Sequence, residues 1–126
     1  MTKPTLLVVD DHPLNLKLMQ ALLTREFSVS LADNAEQALE VLESLTPDLI
    51  LMDIQLPGMD GLEATRRIKL DPRTRDITVV ALSAYAMAPD LERARQAGCA
   101  GYITKPIDTR SFVGTVRAHL QPVTAG

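Results

Sequence analysis

The chain has 126 residues, which predicts one domain over residues 1–126 with a core over about residues 5–120. Hydrophobic residues make up 46% of the chain but aromatic residues only 3%, so we expect an aliphatic core. The net charge of −3 gives no electrostatic reason to expect nucleic-acid binding, and no apolar stretch approaches the length that spans a membrane. Cys99 is the only cysteine, which excludes an intramolecular disulfide, so we expect a reducing, cytoplasmic setting.

Short apolar runs and amphipathic segments alternate along the first half of the chain. In chain order they predict a strand at Thr5–Asp10, a helix from Pro13 to about Arg25, a strand at Phe27–Ala32, and a helix that begins near Ala35 and is stopped by Pro47. Leu14, Leu18 and Leu22 recur every four residues in the first helix, and Asn34 is a suitable N-cap for the second.

The second half repeats this alternation. It predicts a strand at Asp48–Asp53, a helix that follows the turn at residues 56–61 and runs to about Leu70, a strand at Ile77–Leu82, a helix from Pro89 that Gly98 closes, a strand at Ala100–Thr104, and a final helix capped by Asp108 or Thr109. Five βα units in series predict an α/β fold, a doubly wound parallel sheet with helices on both faces.

Polar residues stand at the carboxyl ends of all five strands. They are Asp10 and Asp11 after the first, Asp33 after the second, Asp53 at the end of the third, Ser83 after the fourth and Lys105 after the fifth. Ligands of open parallel sheets bind outside the carboxyl ends of the strands, so these residues are the candidates for a common site.

The candidate residues have the chemistry of phosphoryl transfer. Oxygen-only ligation without His or Cys favours Mg²⁺ or Mn²⁺ over zinc, and three neighbouring carboxylates repel one another unless a cation or a shared proton intervenes. An aspartate can attack phosphorus, and the Lys105 ammonium can pair with a phosphoryl oxygen. His12 also lies beside these residues, where we expect a solvated imidazole.

The same residues lie in segments that resemble the response-regulator receiver domain: Asp10-Asp11, LILMDIQLPGMDG around Asp53, ALSAYA around Ser83, and YITKPI around Lys105. The resemblance covers essentially the whole chain and implies a flavodoxin-like (βα)5 fold with strand order 2-1-3-4-5. The segments AMAPDLERARQAGC and GYITKP are most similar to DivK-type single-domain regulators and to the receivers of hybrid histidine kinases.

Residue roles follow from this resemblance. It implies that Asp53 accepts a phosphoryl group, that Mg²⁺ (or Mn²⁺) is held by Asp10, Asp11, Asp53 and the backbone carbonyl of Gln55, and that Lys105 pairs with the phosphoryl group. It further implies that Ser83 is a catalytic residue whose hydroxyl moves toward the phosphoryl group. Ser83 and Tyr102 would be the switch residues, and the Lys105–Pro106 peptide bond would be cis.

Three functions compete for such a chain. The first is a signalling switch that receives its phosphoryl group from a histidine kinase or a histidine phosphotransfer protein. It would then change its contacts with a downstream protein or an adjoining domain through the fourth helix, fifth strand and fifth helix, with no direct contact to nucleic acid or membrane. The second is a Mg²⁺-dependent phosphohydrolase, which is disfavoured because Gln55 stands where such enzymes place an acid. The third is a receiver that binds its partner without being phosphorylated.

Overall fold

Five strands and five helices alternate along the part of the chain that the structure, a computed structural model, describes, which is residues 3–84 and 87–120. The elements are β1 (Thr5–Val9), α1 (Pro13–Leu23), β2 (Ser28–Ala32), α2 (Ala35–Val41), β3 (Leu49–Asp53), α3 (Gly61–Leu70), β4 (Thr78–Ser83), α4 (Ala88–Ala97), β5 (Gly101–Thr104) and α5 (Phe112–Leu120). This alternation confirms the predicted α/β fold.

The strands form one parallel sheet in the order β2-β1-β3-β4-β5, which confirms the predicted strand order. The register aligns Val9 with Met52 and Asp53 with Leu82. Because neighbouring strands end at nearly the same level, the residues that follow β1, β3, β4 and β5 emerge at a single edge of the sheet.

The core lies in two layers, one on each face of the sheet. Alternate residues of β1 divide between them: Leu7 and Val9 pack with α2, α3 and α4, whereas Leu6 and Val8 pack with α1 and α5. All five residues of β3 are buried, as expected for a central strand covered on both faces. The layers therefore hold β1 and β3, the strands that carry the candidate carboxylates, at the centre of the protein.

The buried face of α1 differs from the stripe of leucines in its sequence. Leu16, Met19 and Leu23 are its buried residues, whereas the side chains of Leu14 and Leu18 are 80% and 40% exposed. The four-residue repeat correctly predicts a helix, but its first two leucines lie on the solvent side, beside the carboxyl edge of the sheet.

The largest differences from the predicted helix boundaries are at the end of α2 and at the start of α5. The helix α2 ends at Val41, well before Pro47, because the chain then tightens into turns in which the Glu43 N–H donates to the Glu40 carbonyl at 3.1 Å. The helix α5 begins at Phe112, after a turn in which Asp108 accepts the Arg110 N–H at 3.0 Å.

Other predicted helix ends are confirmed. The Asn34 side chain caps α2 by accepting the Gln37 N–H at 2.7 Å. Gly98 ends α4 in the left-handed region with φ 112°, a conformation that glycine adopts at little cost.

No helix formed by residues 3–84 and 87–120 is both long enough and apolar enough to cross a membrane.

Gly61 fixes the start of α3 against the end of β3. Its N–H donates to the Ile54 carbonyl at 2.9 Å, and a Cβ at this position would lie 2.1 Å from the backbone oxygen of Asp53. Only a residue without a side chain fits this approach, so Gly61 positions the strand end that carries Asp53.

We predict that Gly61→Ala lowers the free energy of unfolding by about 1–3 kcal/mol, because the new methyl group displaces backbone at the end of β3. Gly114→Ala is the matched control: Gly114 is exposed within α5, a Cβ there would lie 4.0 Å from the nearest side-chain atom, and alanine should be neutral or stabilising. Urea denaturation followed by circular dichroism measures both. Equal stability changes in the two variants would contradict the positioning role of Gly61.

Candidate functional site

The carboxyl edge of the sheet brings the candidate residues to one place. Asp10 and Asp11 directly follow β1, Asp53 is the last residue of β3, Ser83 is the last residue of β4, and Lys105 directly follows β5. Four strands that are far apart in sequence therefore contribute to one site.

Lys105 bridges two buried carboxylates. Its Nζ atom lies 2.8 Å from Asp10 Oδ2 and 2.7 Å from Asp53 Oδ2. The side chains of Asp10 and Asp53 are 0% and 3% exposed, and that of Lys105 is 16% exposed. One ammonium group thus pairs with two carboxylates that are almost entirely buried.

Because Asp10 and Asp53 share the ammonium group of Lys105, the negative charge of Asp53 is only partly compensated. Burial raises the pKa of Asp53 above its ordinary value, and the hydrogen bonds from Lys105 and from the Gln55 N–H, at 3.0 Å to Oδ1, offset this only in part. Burial also acts to lower the pKa of Lys105, but its bonds to Asp10 and Asp53 outweigh burial and the net shift is upward. Lys105 therefore stays positively charged, while the ionised form of Asp53 is under electrostatic strain.

Asp11 and His12 form the solvent side of the site. The Asp11 side chain is 30% exposed, and its Oδ1 atom lies 3.1 Å from Nδ1 of His12. The His12 ring is 66% exposed, in agreement with the predicted solvated imidazole, yet Nδ1 also lies 3.3 Å from Asp10 Oδ1. The orientation of this ring toward both carboxylates is a feature that the sequence did not indicate.

The site has the composition of a divalent-cation site. Donor atoms of Asp10, Asp11, His12 and Asp53 all lie within 4.8 Å of one another. Three carboxylates against one ammonium leave two negative charges uncompensated, which matches the charge of one divalent cation. Carboxylate oxygens suit Mg²⁺ and Mn²⁺, so the acidic pocket could bind either ion. The predicted carbonyl ligand, Gln55, lies two residues beyond Asp53 on the segment that leaves β3.

Ser83 and Tyr102 lie on the neighbouring strands. Ser83 is buried, and its backbone carbonyl accepts the Lys105 N–H at 2.8 Å. Tyr102 is aligned with Ala81 in the sheet and packs, partly buried, against the core layer that contains α2, α3 and α4. The Lys105–Pro106 peptide bond is cis.

An apolar pocket of about 290 Å³ opens beside Lys105. It lies between α1, through Leu18 and Met19, and the segment after β5, through Pro106 and Ile107. This pocket and the exposed side chain of Leu14 form an apolar surface at the rim of the site. Sequence analysis missed this surface, because a leucine repeat does not by itself reveal which leucines face solvent.

The chain matches the family model for the response regulator receiver domain over residues 6–117. It is 42% identical over 117 residues to the polar-differentiation response regulator DivK of Brucella anthropi, covering 92% of this chain and 95% of that protein. It is also 42% identical to DivK of Brucella ovis over 121 residues, covering 95% of this chain and 98% of that protein.

Solved structures of receiver proteins are similar to the chain as well. A response regulator from Chloroflexus aurantiacus, described as putative, superposes with a TM-score of 0.88 at 28% identity over 94% of this chain and 98% of that one. The receiver domain of a sensor histidine kinase from Pseudomonas aeruginosa, solved with a magnesium ion coordinated in its active-site cleft, superposes with a TM-score of 0.85 at 32% identity over 94% of this chain and 98% of that one.

We predict that Asp53→Asn raises the free energy of unfolding at pH 7 without divalent cations by about 1 kcal/mol, because it removes a buried, incompletely compensated charge. The pKa of Asp53 is higher in the folded protein than its ordinary value of 3.8. Protonated Asp53 therefore stabilises the wild-type protein fully below pH 3.8, and this stabilisation is lost as the pH rises through the raised pKa. Urea denaturation at several pH values measures this difference.

Asp33→Asn is the matched control, because Asp33 follows β2 at the same edge of the sheet but is exposed. Its stability should follow that of wild type at each pH. A variant Asp53→Asn that is less stable than wild type at pH 7 would mean that pairing with Lys105 outweighs burial.

Proposed function

The chain belongs to the response regulator receiver domain family of two-component signalling, and from this premise we propose that Asp53 accepts a phosphoryl group in a reaction that requires Mg²⁺. The observation that carries the proposal is the setting of Asp53. Its carboxylate is buried at a strand end, 2.7 Å from Lys105 Nζ and within 4.8 Å of donor atoms of Asp10 and Asp11. The proposed nucleophile, the proposed cation ligands and a positive charge that could pair with phosphoryl oxygens therefore lie close together.

The proposed metal ligands are Asp10, Asp11, Asp53 and the backbone carbonyl of Gln55. Bound Mg²⁺, or Mn²⁺ in its place, would neutralise charge on the phosphoryl oxygens and reduce the repulsion among the carboxylates. In support of this assignment, Asp11 is the carboxylate that reaches solvent, whereas Asp10 and Asp53 are buried and held by Lys105.

In the proposed reaction an oxygen of Asp53 forms a bond to phosphorus. The bond that breaks is the P–N bond of a phosphohistidine donor, whose imidazole leaves and takes up a proton. Lys105 Nζ donates a hydrogen bond to Asp53 Oδ2 before the reaction, and it would pair with the negatively charged phosphoryl oxygens afterwards. The Gln55 N–H holds Oδ1 at 3.0 Å and fixes the carboxylate plane.

The proposed donor is a histidine kinase or a histidine phosphotransfer protein. The apolar rim formed by Leu14, Leu18 and the pocket beside Lys105 supports a protein donor, since a small phosphate ester would leave this surface uncovered.

The proposed output is a change in protein–protein contacts at the face formed by α4, β5 and α5. Ser83 and Tyr102 would transmit the change, because the Ser83 carbonyl is bonded to the Lys105 N–H and Tyr102 lies on β5, three residues before Lys105. Met87 and Leu91, at the start of α4, are exposed apolar side chains on which a partner could pack. That partner would be a downstream protein or an adjoining domain.

We propose that residues 1–126 act as one cytoplasmic receiver domain that is a switch and not a conventional enzyme. Its chemistry would be limited to its own phosphorylation and dephosphorylation. Gln55 supports this distinction over the phosphohydrolase alternative, because its amide cannot serve as the general acid that an enzyme would place two residues after the nucleophile.

Incubation with Mg²⁺ and acetyl phosphate should add a single phosphoryl group, detected by intact mass spectrometry. We expect no adduct in Asp53→Asn or in the presence of EDTA, and a strongly reduced yield in Asp11→Asn. Asp33→Asn, which keeps the acidic pocket and removes an exposed carboxylate from the same edge, should react as wild type does.

An adduct that persists in Asp53→Asn would contradict the assignment of the acceptor. Rapid turnover of varied phosphate esters would favour the phosphohydrolase. A protein that binds Mg²⁺ but accepts no phosphoryl group from acetyl phosphate or from a phosphorylated histidine protein would favour the receiver that is not phosphorylated.

A further inference from the structure

His12 faces the acidic pocket although most of its ring is exposed. Nδ1 lies 3.1 Å from Asp11 Oδ1 and 3.3 Å from Asp10 Oδ1. The backbone N–H of His12 donates to the same Asp10 oxygen at 2.9 Å. The imidazole therefore directs one nitrogen at two carboxylates of the acidic pocket.

The backbone holds His12 at this position. It is the N-cap of α1, with extended dihedral angles of φ −97° and ψ 112°, and its side chain makes no capping hydrogen bond to the helix. Pro13 follows it with a fixed φ and reduces the freedom of the junction. The imidazole is therefore placed at the mouth of the site by the start of the helix and remains available to a ligand there.

The distances fit a shared ion. Ligand atoms on opposite sides of an octahedral ion lie about 4.2 Å apart when each is about 2.1 Å from the metal. Donor atoms of Asp10, Asp11, His12 and Asp53 lie within 4.8 Å of one another, so a modest contraction would bring all four to one ion. An imidazole nitrogen is a ligand that Mg²⁺ seldom takes, whereas the affinity of a site for transition metals rises from Mn²⁺ through Co²⁺ to Ni²⁺.

We propose that His12 contributes Nδ1 as an additional ligand and thereby shifts the metal preference of this site from Mg²⁺ toward Mn²⁺ and Co²⁺. The inference rests on the proposed function, because it uses the same cation site, and it adds a nitrogen ligand to a set that is otherwise composed of oxygen. With Mg²⁺ the imidazole stays outside the coordination sphere. With a transition metal the imidazole coordinates the ion through Nδ1.

The test is direct detection of nitrogen on bound Mn²⁺. Electron spin-echo envelope modulation of the Mn²⁺ complex at pH 8 should show the ¹⁴N coupling of a coordinated imidazole. Labelling all histidines with ¹⁵N should convert this coupling to that of ¹⁵N without altering the protein. The coupling should be lost in His12→Gln. The Co²⁺ affinity of that variant should fall at least about tenfold, because removal of even an outer-shell partner lowers the metal affinity of a site by about 10- to 100-fold. Mg²⁺ affinity should not change.

His119→Gln is the matched control, because His119 packs against Gly101 at the opposite end of β5. Its Mn²⁺ complex should keep the ¹⁴N coupling.

Mn²⁺ binding without ¹⁴N coupling would overturn the role of His12 but leave the proposed function intact, provided that Mg²⁺ binding and phosphorylation of Asp53 persist. Equal loss of Mg²⁺ and Co²⁺ affinity in His12→Gln would also overturn it, since that would mean His12 only supports the carboxylates. Failure to bind any divalent cation would overturn both this inference and the metal role in the proposed function.

Discussion

One ammonium group shared by two buried carboxylates is the interaction on which the candidate site depends. Lys105 reaches Asp10 and Asp53 at 2.8 and 2.7 Å, and Asp11 adds a third negative charge at the rim. Burial raises the pKa of Asp53, so the site is under electrostatic strain that a bound cation would relieve. The fold sustains this strain because β1 and β3 are buried on both faces and hold their ends rigidly in register.

The same interaction connects the site to the rest of the sheet. Lys105 bonds through its side chain to the ends of β1 and β3, and through its backbone N–H to the end of β4 at Ser83. Under the proposed function, a phosphoryl group on Asp53 replaces a carboxylate partner of Lys105 with a more highly charged one. Any resulting movement of Lys105 reaches β4 and β5 directly. The proposed switch residues lie on these two strands, Ser83 at the end of β4 and Tyr102 on β5.

The sequence predicts the alternation of strands and helices and the sheet edge at which the candidate residues meet, because both follow from local patterns. The strand order is predicted only through the resemblance to receiver domains. Short apolar runs that end in Asp10 and Asp53 indicate buried strands and the edge where they emerge, whereas the roles of these residues stay predictions. Features set by tertiary contacts could not be predicted. The end of α2 at Val41, the exposure of Leu14 and the orientation of His12 depend on neighbours that the periodicity of one segment does not specify.

Under the proposed function, uncompensated negative charge, and not ligand geometry alone, makes the site bind a cation. Replacement of Lys105 by Met tests it most directly, with Mg²⁺ binding measured by isothermal titration calorimetry at pH 8. Because the substitution removes the positive charge that now competes for Asp10 and Asp53, we expect Mg²⁺ to bind severalfold more tightly. Mg²⁺ affinity that is unchanged or weaker in a folded Lys105→Met protein would contradict the account.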